Sequence, residues 1–229
     1  KRKYYRFRPS RFYGGISTAD CVGCCLRCVF CWAWKVVKDP GLHGTYYSPE
    51  DVARILMGIA KRKGLGHLRI SGNEATIHRH HLVRVLESIG TKYSFILETN
   101  GILIGDDPGY AEELSGFPNL FVMVSLKGTI EEEFAKLTVA KPEGFGLQLA
   151  ALENLLSHGV KVHPACMISF SPPENVKILR RRLRRISPVL EDLEVEELIL
   201  YPSIQERLKT LRIKYLNAYL PRDVPEEQV

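Results

Sequence analysis

Residues 21–32 read Cys-Val-Gly-Cys-Cys-Leu-Arg-Cys-Val-Phe-Cys-Trp and contain five of the six cysteines of the chain. Three of them, Cys24, Cys28 and Cys31, are spaced C-x3-C-x2-C. Three thiolates on one short loop can bind three irons of a [4Fe–4S] cluster and leave the fourth iron open. An open coordination position is typical of catalytic rather than structural metal sites. The spacing therefore predicts a catalytic iron–sulfur site.

A structural zinc site is the main alternative for this loop. Two C-x2-C pairs, 21–24 and 28–31, are present, but the gap between them is only three residues and no second ligand pair with metal spacing follows. A disulfide framework is disfavoured because Cys166 stands alone in an apolar run, where we expect a buried core residue. Cys21 and Cys25 are additional to a set of three ligands, and Cys21 is the alternative ligand to test.

The 229 residues are 45% hydrophobic, which is enough for one substantial core. No apolar run approaches the length needed to span a bilayer, and no secretion signal is evident, so we expect a protein of the reducing cytoplasm without a membrane partner. The net charge is +6, and all the excess lies in residues 1–11, KRKYYRFRPSR. Arginines mixed with aromatic residues suit a nucleic-acid groove, or an edge segment that covers the flank of a barrel. We favour the second interpretation.

Apolar β-branched runs alternate with helix-period stretches along the chain. The first helix has clear boundaries, because Ser48 and Pro49 predict its start and Gly64 its end. The pattern predicts an α/β fold, an incomplete (βα)6 TIM-like barrel with a parallel sheet. Residues 1–229 then form one domain, with an N-terminal arm at 1–13 and a loosely held tail at 221–229. The first five strands are predicted at 16–19, 67–71, 94–99, 120–126 and 160–169. A sixth strand is predicted to end with 198–201, and the closing helix is predicted at 203–220.

Polar side chains follow the predicted strands at the points where they end. The first strand leads into the cysteine loop, and the next three end in 71–74 (Ser-Gly-Asn-Glu), 98–101 (Glu-Thr-Asn-Gly) and 125–128 (Ser-Leu-Lys-Gly). In barrels of this kind, functional residues gather at the carboxyl ends of the strands. The histidines at positions 78, 80 and 81 have no ligand partner at metal spacing, and we expect them at the surface. Trp32 and Trp34, directly after the cysteine loop, are expected to shield a cluster from solvent.

The segment Gly23-Cys-Cys-Leu-Arg-Cys-Val-Phe-Cys31 resembles the loop of the radical S-adenosylmethionine (SAM) superfamily, which commonly reads G-C-N-L-R-C-x-[FY]-C. Cys25 replaces the usual Asn. The resemblance implies that Cys24, Cys28 and Cys31 bind the irons and that the amino and carboxylate groups of SAM chelate the open iron. It also implies that Phe30 lies near the adenine.

The same resemblance extends to the three strand ends. Gly72-Asn73-Glu74 is similar to the family's G-G-E turn beside the methionyl amino group, with Asn73 in place of the second Gly. Ser125-x-Lys127 is similar to the D-x-K ending near the SAM carboxylate, with Ser125 in place of Asp.

The strand end at Thr99-Asn100-Gly101 is similar to the T-N-G sequence beside the ribose in glycyl-radical-enzyme activating enzymes and 7-carboxy-7-deazaguanine synthases. The resemblance implies that Asn100 binds the ribose hydroxyls with help from Glu98 or Thr99. A simple salt bridge from Glu98 to Lys127 or Arg69 is the alternative.

The function implied by the resemblance is that of a radical SAM enzyme, in which a reduced [4Fe–4S] cluster cleaves SAM and a 5′-deoxyadenosyl radical abstracts hydrogen from a substrate. No side chain is required as a catalytic acid or base. An electron donor of the flavodoxin or ferredoxin type is implied as a partner. The minimal chain favours a macromolecular substrate, first a protein as in activating enzymes, with a tRNA- or nucleoside-modifying enzyme as the alternative. A non-catalytic metal-binding RNA-interaction module is the alternative from another class.

Overall fold

The barrel sheet of the computed structural model, which describes residues 1–225, has the strand order β3-β1-β2-β4-β5-β6-β7-β8. From β2 to β8 the neighbouring strands of this order are parallel, whereas β1 is antiparallel to both β2 and β3. The strands are β1 (Arg2–Ser10), β2 (Ile16–Cys21), β3 (Thr45–Tyr47), β4 (His67–Gly72), β5 (Ser94–Thr99), β6 (Leu120–Leu126), β7 (Lys161–Met167) and β8 (Glu194–Glu196).

Helices connect the parallel strands and cover the outer face of the sheet. The best defined is α2, where the Ser48 hydroxyl accepts a hydrogen bond from the Asp51 amide at 3.1 Å and Gly64 ends the helix with a φ of 66°. The helices are α1 (Trp34–Lys38), α2 (Pro49–Lys63), α3 (Arg79–Ile89), α4 (Ile102–Asp106), α5 (Pro108–Ser115), α6 (Glu131–Thr138), α7 (Gly144–Ser157), α8 (Pro173–Ile186) and α9 (Pro202–Thr210).

This architecture confirms the predicted α/β fold with a parallel, incomplete barrel. The strand alternation gives the sheet one apolar and one polar face: Leu68, Leu97 and Val124 face the helices, while Arg69 and Glu98 face the concave side of the sheet. The carboxyl ends of β2, β4, β5 and β6 therefore meet at one rim.

The prediction for the end of the barrel was wrong in two details. The last strand is Glu194–Glu196, whereas the apolar run 198–201 only bridges Ile199 to Tyr219. Leu198 and Leu200 instead pack against Val29 and Phe30 beneath the cysteine loop. The closing helix ends at Thr210 rather than at 220.

Residues 1–13, expected as an arm, contain a long strand of the sheet. Its register pairs Phe7 with Ala19 and Arg2 with Tyr47, so β1 lies between β2 and β3. Tyr4 of this strand is 2% exposed and belongs to the main core. The expected loose tail, 221–229, lies partly outside the described residues.

Of the three histidines at the start of α3, one differs from the prediction. His78 and His80 are exposed, as expected, but His81 is buried and its Nε2 lies 3.1 Å from the Tyr4 hydroxyl. Its helix turns one face to β1, which the sequence pattern did not reveal. Within residues 1–225, no helix has both the length and the apolarity that a membrane crossing requires.

Candidate functional site

The cysteine loop leaves the carboxyl end of β2 and is fixed by backbone hydrogen bonds to α6. The amide of Arg27 donates to the Thr138 carbonyl at 3.0 Å, and the amide of Val29 donates to the Leu137 carbonyl at 2.8 Å. A further bond of 3.0 Å closes the turn from the Cys31 amide to the Cys28 carbonyl. These bonds hold the segment from Cys24 to Cys31 at the rim where the strands end.

Cys24, Cys28 and Cys31 share this loop and are all partly buried. Burial raises the pKa of the Cys28 thiol to about 12, although Lys127 nearby lowers it. A buried thiol of this kind becomes a thiolate when a metal supplies the compensating charge. The chemistry of the loop is thus that of a soft, three-sulfur ligand set.

The other cysteines have different surroundings. Cys21 is fully buried in the main core, where the Arg2 Nη2 lies 3.2 Å from its sulfur. Cys166 is also fully buried and donates to the Gly128 carbonyl at 3.3 Å. Cys25 is exposed, and the Asn100 side-chain nitrogen lies 3.3 Å from its sulfur.

No three His, Cys, Asp or Glu side chains of residues 1–225 converge on a point where a single metal ion could bind. In a [4Fe–4S] cluster each cysteine binds a different iron, so its ligands need not converge on one point. Three cysteines on a fixed loop, with a lysine beneath them, therefore fit a cluster better than they fit a single zinc ion.

The turn 72–74 lies directly beside the cysteine loop. Gly72 has a φ of 98°, and a Cβ there would lie 2.9 Å from the Asp20 Cα, so only glycine fits. The Asn73 Oδ1 accepts from the Gly23 amide at 3.0 Å, while its buried Nδ2 has no partner in the described chain. Asn73 therefore ties the turn to the start of the loop and keeps one donor unused.

Glu74 is 1% exposed, and both oxygens of its carboxylate accept hydrogen bonds. Its donors are the Thr99 hydroxyl at 2.7 Å, the Asn100 amide at 2.7 Å, and the amide and hydroxyl of Thr76 at 3.0 and 2.7 Å. Glu74 thus joins the ends of β4 and β5. Glu74, which also binds Thr99, holds the backbone of Asn100 in place. The side chain of Asn100 reaches the cysteine sulfurs.

Glu98 and Lys127 lie on the concave side of the sheet. Glu98 forms a salt bridge with Arg69 at 2.5 Å and accepts a hydrogen bond from the Ser71 hydroxyl at 2.5 Å. These contacts match the alternative prediction of a salt bridge from Glu98 to Arg69. The Lys127 Nζ donates to the Ser125 hydroxyl at 2.5 Å, which in turn donates to Glu196 at 2.8 Å.

The Lys127 side chain lies close to the cysteine loop. Its ammonium lies 6.0 Å from the centre of the Phe30 ring. Burial lowers the pKa of Lys127, but Glu196 and the thiols of Cys28 and Cys24 outweigh that effect, so its pKa lies above the ordinary value. The sequence-predicted residues Ser125 and Lys127 are thereby brought close to Phe30 of the cysteine loop.

Three residues that the sequence analysis missed support this rim. Gln148 of α7 is fully buried and bonds backbone atoms at the ends of β5 and β6. Arg2 donates to the carbonyls of Glu74 and Ala75. Arg207 of α9 donates to the carbonyls of Val29 at 2.6 Å and Cys31 at 2.8 Å. Gln148 could have been recognised in the sequence as a polar residue within an otherwise apolar helix. Nothing in the sequence singles out Arg2 or Arg207.

Residues 20–185 match the family model described as "Radical SAM superfamily". No curated protein matches the chain. Among solved structures, SuiB from Streptococcus suis bound to S-adenosylmethionine has a TM-score of 0.65 at 17% identity, covering 87% of this chain and 48% of SuiB.

Two other enzymes have the same fold. The structure of anSMEcpe with bound AdoMet has a TM-score of 0.60 at 18% identity, covering 83% of this chain and 57% of that protein. A spore photoproduct lyase mutant with bound AdoMet and a dinucleoside spore photoproduct has a TM-score of 0.65 at 12% identity, covering 92% and 64%. The chain thus spans less than two thirds of each of these proteins.

Proposed function

Because the chain belongs to the radical SAM superfamily, we propose that it is an enzyme in which Cys24, Cys28 and Cys31 hold a [4Fe–4S] cluster beside a bound SAM molecule. Members of this family use that cluster together with SAM. The single observation that carries the assignment is the fixed C-x3-C-x2-C loop above the Lys127 ammonium, at the rim where the strands end. When bound, the two groups together supply a 5′-deoxyadenosyl radical that abstracts a hydrogen atom.

The residues of the rim have separate proposed tasks toward SAM. Lys127 is suited to the methionyl carboxylate, because a cation held by Ser125 is available there. Gly72 and Asn73 are suited to the methionyl amino group, because glycine at position 72 lets the backbone of this turn approach it closely. Phe30 offers an aromatic face to the adenine.

Asn100 is the residue proposed to bind the ribose hydroxyls. Its side chain lies at the cysteine sulfurs, and its backbone is held by Glu74 and Gln148. Thr99 and Glu98 act through their neighbours, since Thr99 is bound to Glu74 and Glu98 to Arg69. The chain's own contribution is to bind, orient and exclude water.

The proposed substrate is a macromolecule that reaches the rim from the open side of the barrel, between β3 and β8. One candidate is a protein loop, as in the glycyl-radical-enzyme activating enzymes that the motifs resemble. A nucleic acid is the second candidate, favoured by the arginine and aromatic side chains that β1 carries to this side. A small acidic electron-transfer protein of the flavodoxin or ferredoxin type is the proposed reductant.

The test of the reaction class is anaerobic reconstitution with iron and sulfide, followed by SAM and dithionite. We expect about four irons per chain with matching sulfide, and formation of 5′-deoxyadenosine and methionine. A chain that retains zinc and releases no 5′-deoxyadenosine would be a metal-binding module instead. The non-cleaving control is the same protein without dithionite.

A further inference from the structure

A cavity of about 420 Å³ lies beside the cysteine loop, between β1, the segment that follows Cys31, and α9. Its size lies within the range of pockets for small ligands or single residues of a polymer. The residues that matter most in its lining are Tyr5, Trp32, Trp34, Lys35, Glu206 and Arg207.

This cavity is structurally tied to the proposed cluster. Arg207 forms part of its wall and donates hydrogen bonds to the carbonyls of Val29 and Cys31. Trp32 follows the last cysteine of the loop directly. A ligand in the cavity would therefore lie next to the reaction centre and not on a remote surface.

Four of the ten residues that line the cavity have flat side chains, namely Tyr5, Trp32, Trp34 and Arg207. Trp32 is 47% exposed, and the Arg6 guanidinium lies 5.3 Å from the centre of its ring. The Arg207 guanidinium lies 4.7 Å from the centre of the Trp34 ring. Aromatic rings and guanidinium planes are the surfaces on which nucleic-acid bases stack.

The electrostatic balance beside the cavity favours an anion. Arg6 and Arg8 both bind the same Asp20 oxygen, Oδ2, through their Nε atoms at 2.5 and 3.2 Å. Neither arginine donates an Nη hydrogen bond to any residue of the described part of the chain. Two guanidinium groups thus share one carboxylate, and their bidentate edges remain available for a phosphate.

Two polar atoms beside these arginines lack partners. The Asp20 side chain is fully buried, and its Oδ1 has no donor within residues 1–225. Tyr5 lines the cavity, and its hydroxyl is also buried without a partner among the described residues. Burial, followed by the charge of Asp20, raises the pKa of Tyr5, so the phenol is neutral and can donate. Buried polar atoms without partners point to an additional ligand or water.

We infer that this cavity binds a nucleotide of a single-stranded nucleic acid, with the base stacked against Trp32 and the phosphate at Arg6 and Arg8. An acidic protein segment would satisfy the arginines, but it would leave the exposed indole face without a flat partner. This inference rests on the proposed function, because it names a nucleic acid as the substrate class of that enzyme. Its test does not depend on that function, because binding is measured without SAM cleavage.

The experiment measures fluorescence anisotropy of fluorescein-labelled 12-nucleotide oligouridylate and oligothymidylate with the reconstituted protein. We expect Trp32→Ala to weaken binding about 5- to 150-fold, the range for loss of one base-stacking side chain, and Trp32→Phe to restore most of it. Arg6→Lys, which keeps the charge beside Asp20, is expected to lower affinity and to reduce the salt dependence only slightly.

The matched controls are Tyr46→Ala, which removes an exposed aromatic ring on β3, and Arg54→Ala, which removes an exposed arginine on α2. Both are expected to bind the oligonucleotides like the parent protein. Equal weakening in the controls, or displacement of both oligonucleotides by a polyglutamate peptide at matched charge, would overturn the inference. The two control variants should also form 5′-deoxyadenosine with SAM and dithionite like the parent protein, so a failure of oligonucleotide binding is distinguishable from a failure of the reaction class.

Discussion

The side-chain nitrogen of Gln148 donates a hydrogen bond of 2.6 Å to the carbonyl of Asn100, although 48 positions separate the two residues. The same nitrogen donates to the Ser125 carbonyl at 3.1 Å, and the Gln148 Oε1 accepts from the Lys127 amide at 3.1 Å. One fully buried side chain thereby sets the spacing between the ends of β5 and β6. The residues proposed for the ribose and for the SAM carboxylate depend on that spacing.

Gln148→Ala should therefore affect both stability and SAM binding. The substitution leaves the backbone groups of Asn100, Ser125 and Lys127 without partners, and we expect a loss of about 2–3 kcal/mol in the free energy of unfolding. Urea titration measures this loss, and the KM for SAM should rise more than kcat falls. Gln205→Ala, at an exposed position of α9, is the control. Indistinguishable unfolding curves for the two variants would contradict this role of Gln148.

The sequence predicted the architecture because its strongest signals are local. Alternating strand and helix patterns, together with the cap at Ser48 and the left-handed Gly64, specify each unit without knowledge of the others. The polar strand ends also followed from the chain alone, since parallel strands bring their carboxyl ends to one rim.

What could not be predicted depends on long-range contacts. The strand Glu194–Glu196 is not apolar, because Glu196 faces a polar interior and accepts a hydrogen bond from Ser125. Glu74 matches a family motif, yet its carboxylate is used within the protein by partners 25 and 26 residues away. A motif in the sequence identifies the position of such a residue but not which groups its side chain binds.

The crossing of α4 and α7 provides a test of packing with a matched pair of glycines. A Cβ at Gly105 would lie 1.9 Å from the Leu147 carbonyl oxygen, whereas a Cβ at Gly146 would contact nothing within 4 Å. We expect Gly105→Ala to cost about 2–3 kcal/mol of unfolding free energy through overpacking. Gly146→Ala should add about 0.5–1 kcal/mol by favouring the helix. Thermal or urea unfolding separates the two, and equal effects would mean that the helices do not approach so closely.

His81 predicts a dependence of stability on pH. Burial, and then Arg2 of β1 and His78 of the same turn, lower the pKa of His81 to about 4, while Glu50 of α2 raises it slightly. Its other neighbour, Tyr4, is neutral because burial raises the pKa of the phenol. The unfolded chain binds a proton near pH 6.5 and the folded chain does not, so stability is full above about 6.5 and falls as the pH decreases toward 4.

The loss attributable to His81 over this range is up to about 3 kcal/mol. It is measured as the difference between urea unfolding at pH 7.5 and at pH 4.5. His81→Gln should remove that part of the pH dependence, and His80→Gln, at an exposed position, should leave it unchanged. If both variants keep the full dependence, other groups are responsible for it.

The ligand assignment predicts an unequal response of the cysteines in the loop. Cys24→Ala, Cys28→Ala and Cys31→Ala should each lose most of the bound iron and all 5′-deoxyadenosine formation after anaerobic reconstitution. Cys25→Asn, which introduces the residue usual in the family, should retain both, because the three proposed ligands remain. Cys21→Ala should also retain iron, since its sulfur is fully buried in the core and lies 3.2 Å from the Arg2 Nη2. If Cys24→Ala retains iron and Cys21→Ala loses it, Cys21 is a ligand in place of Cys24. That result would contradict the arrangement proposed for the rim.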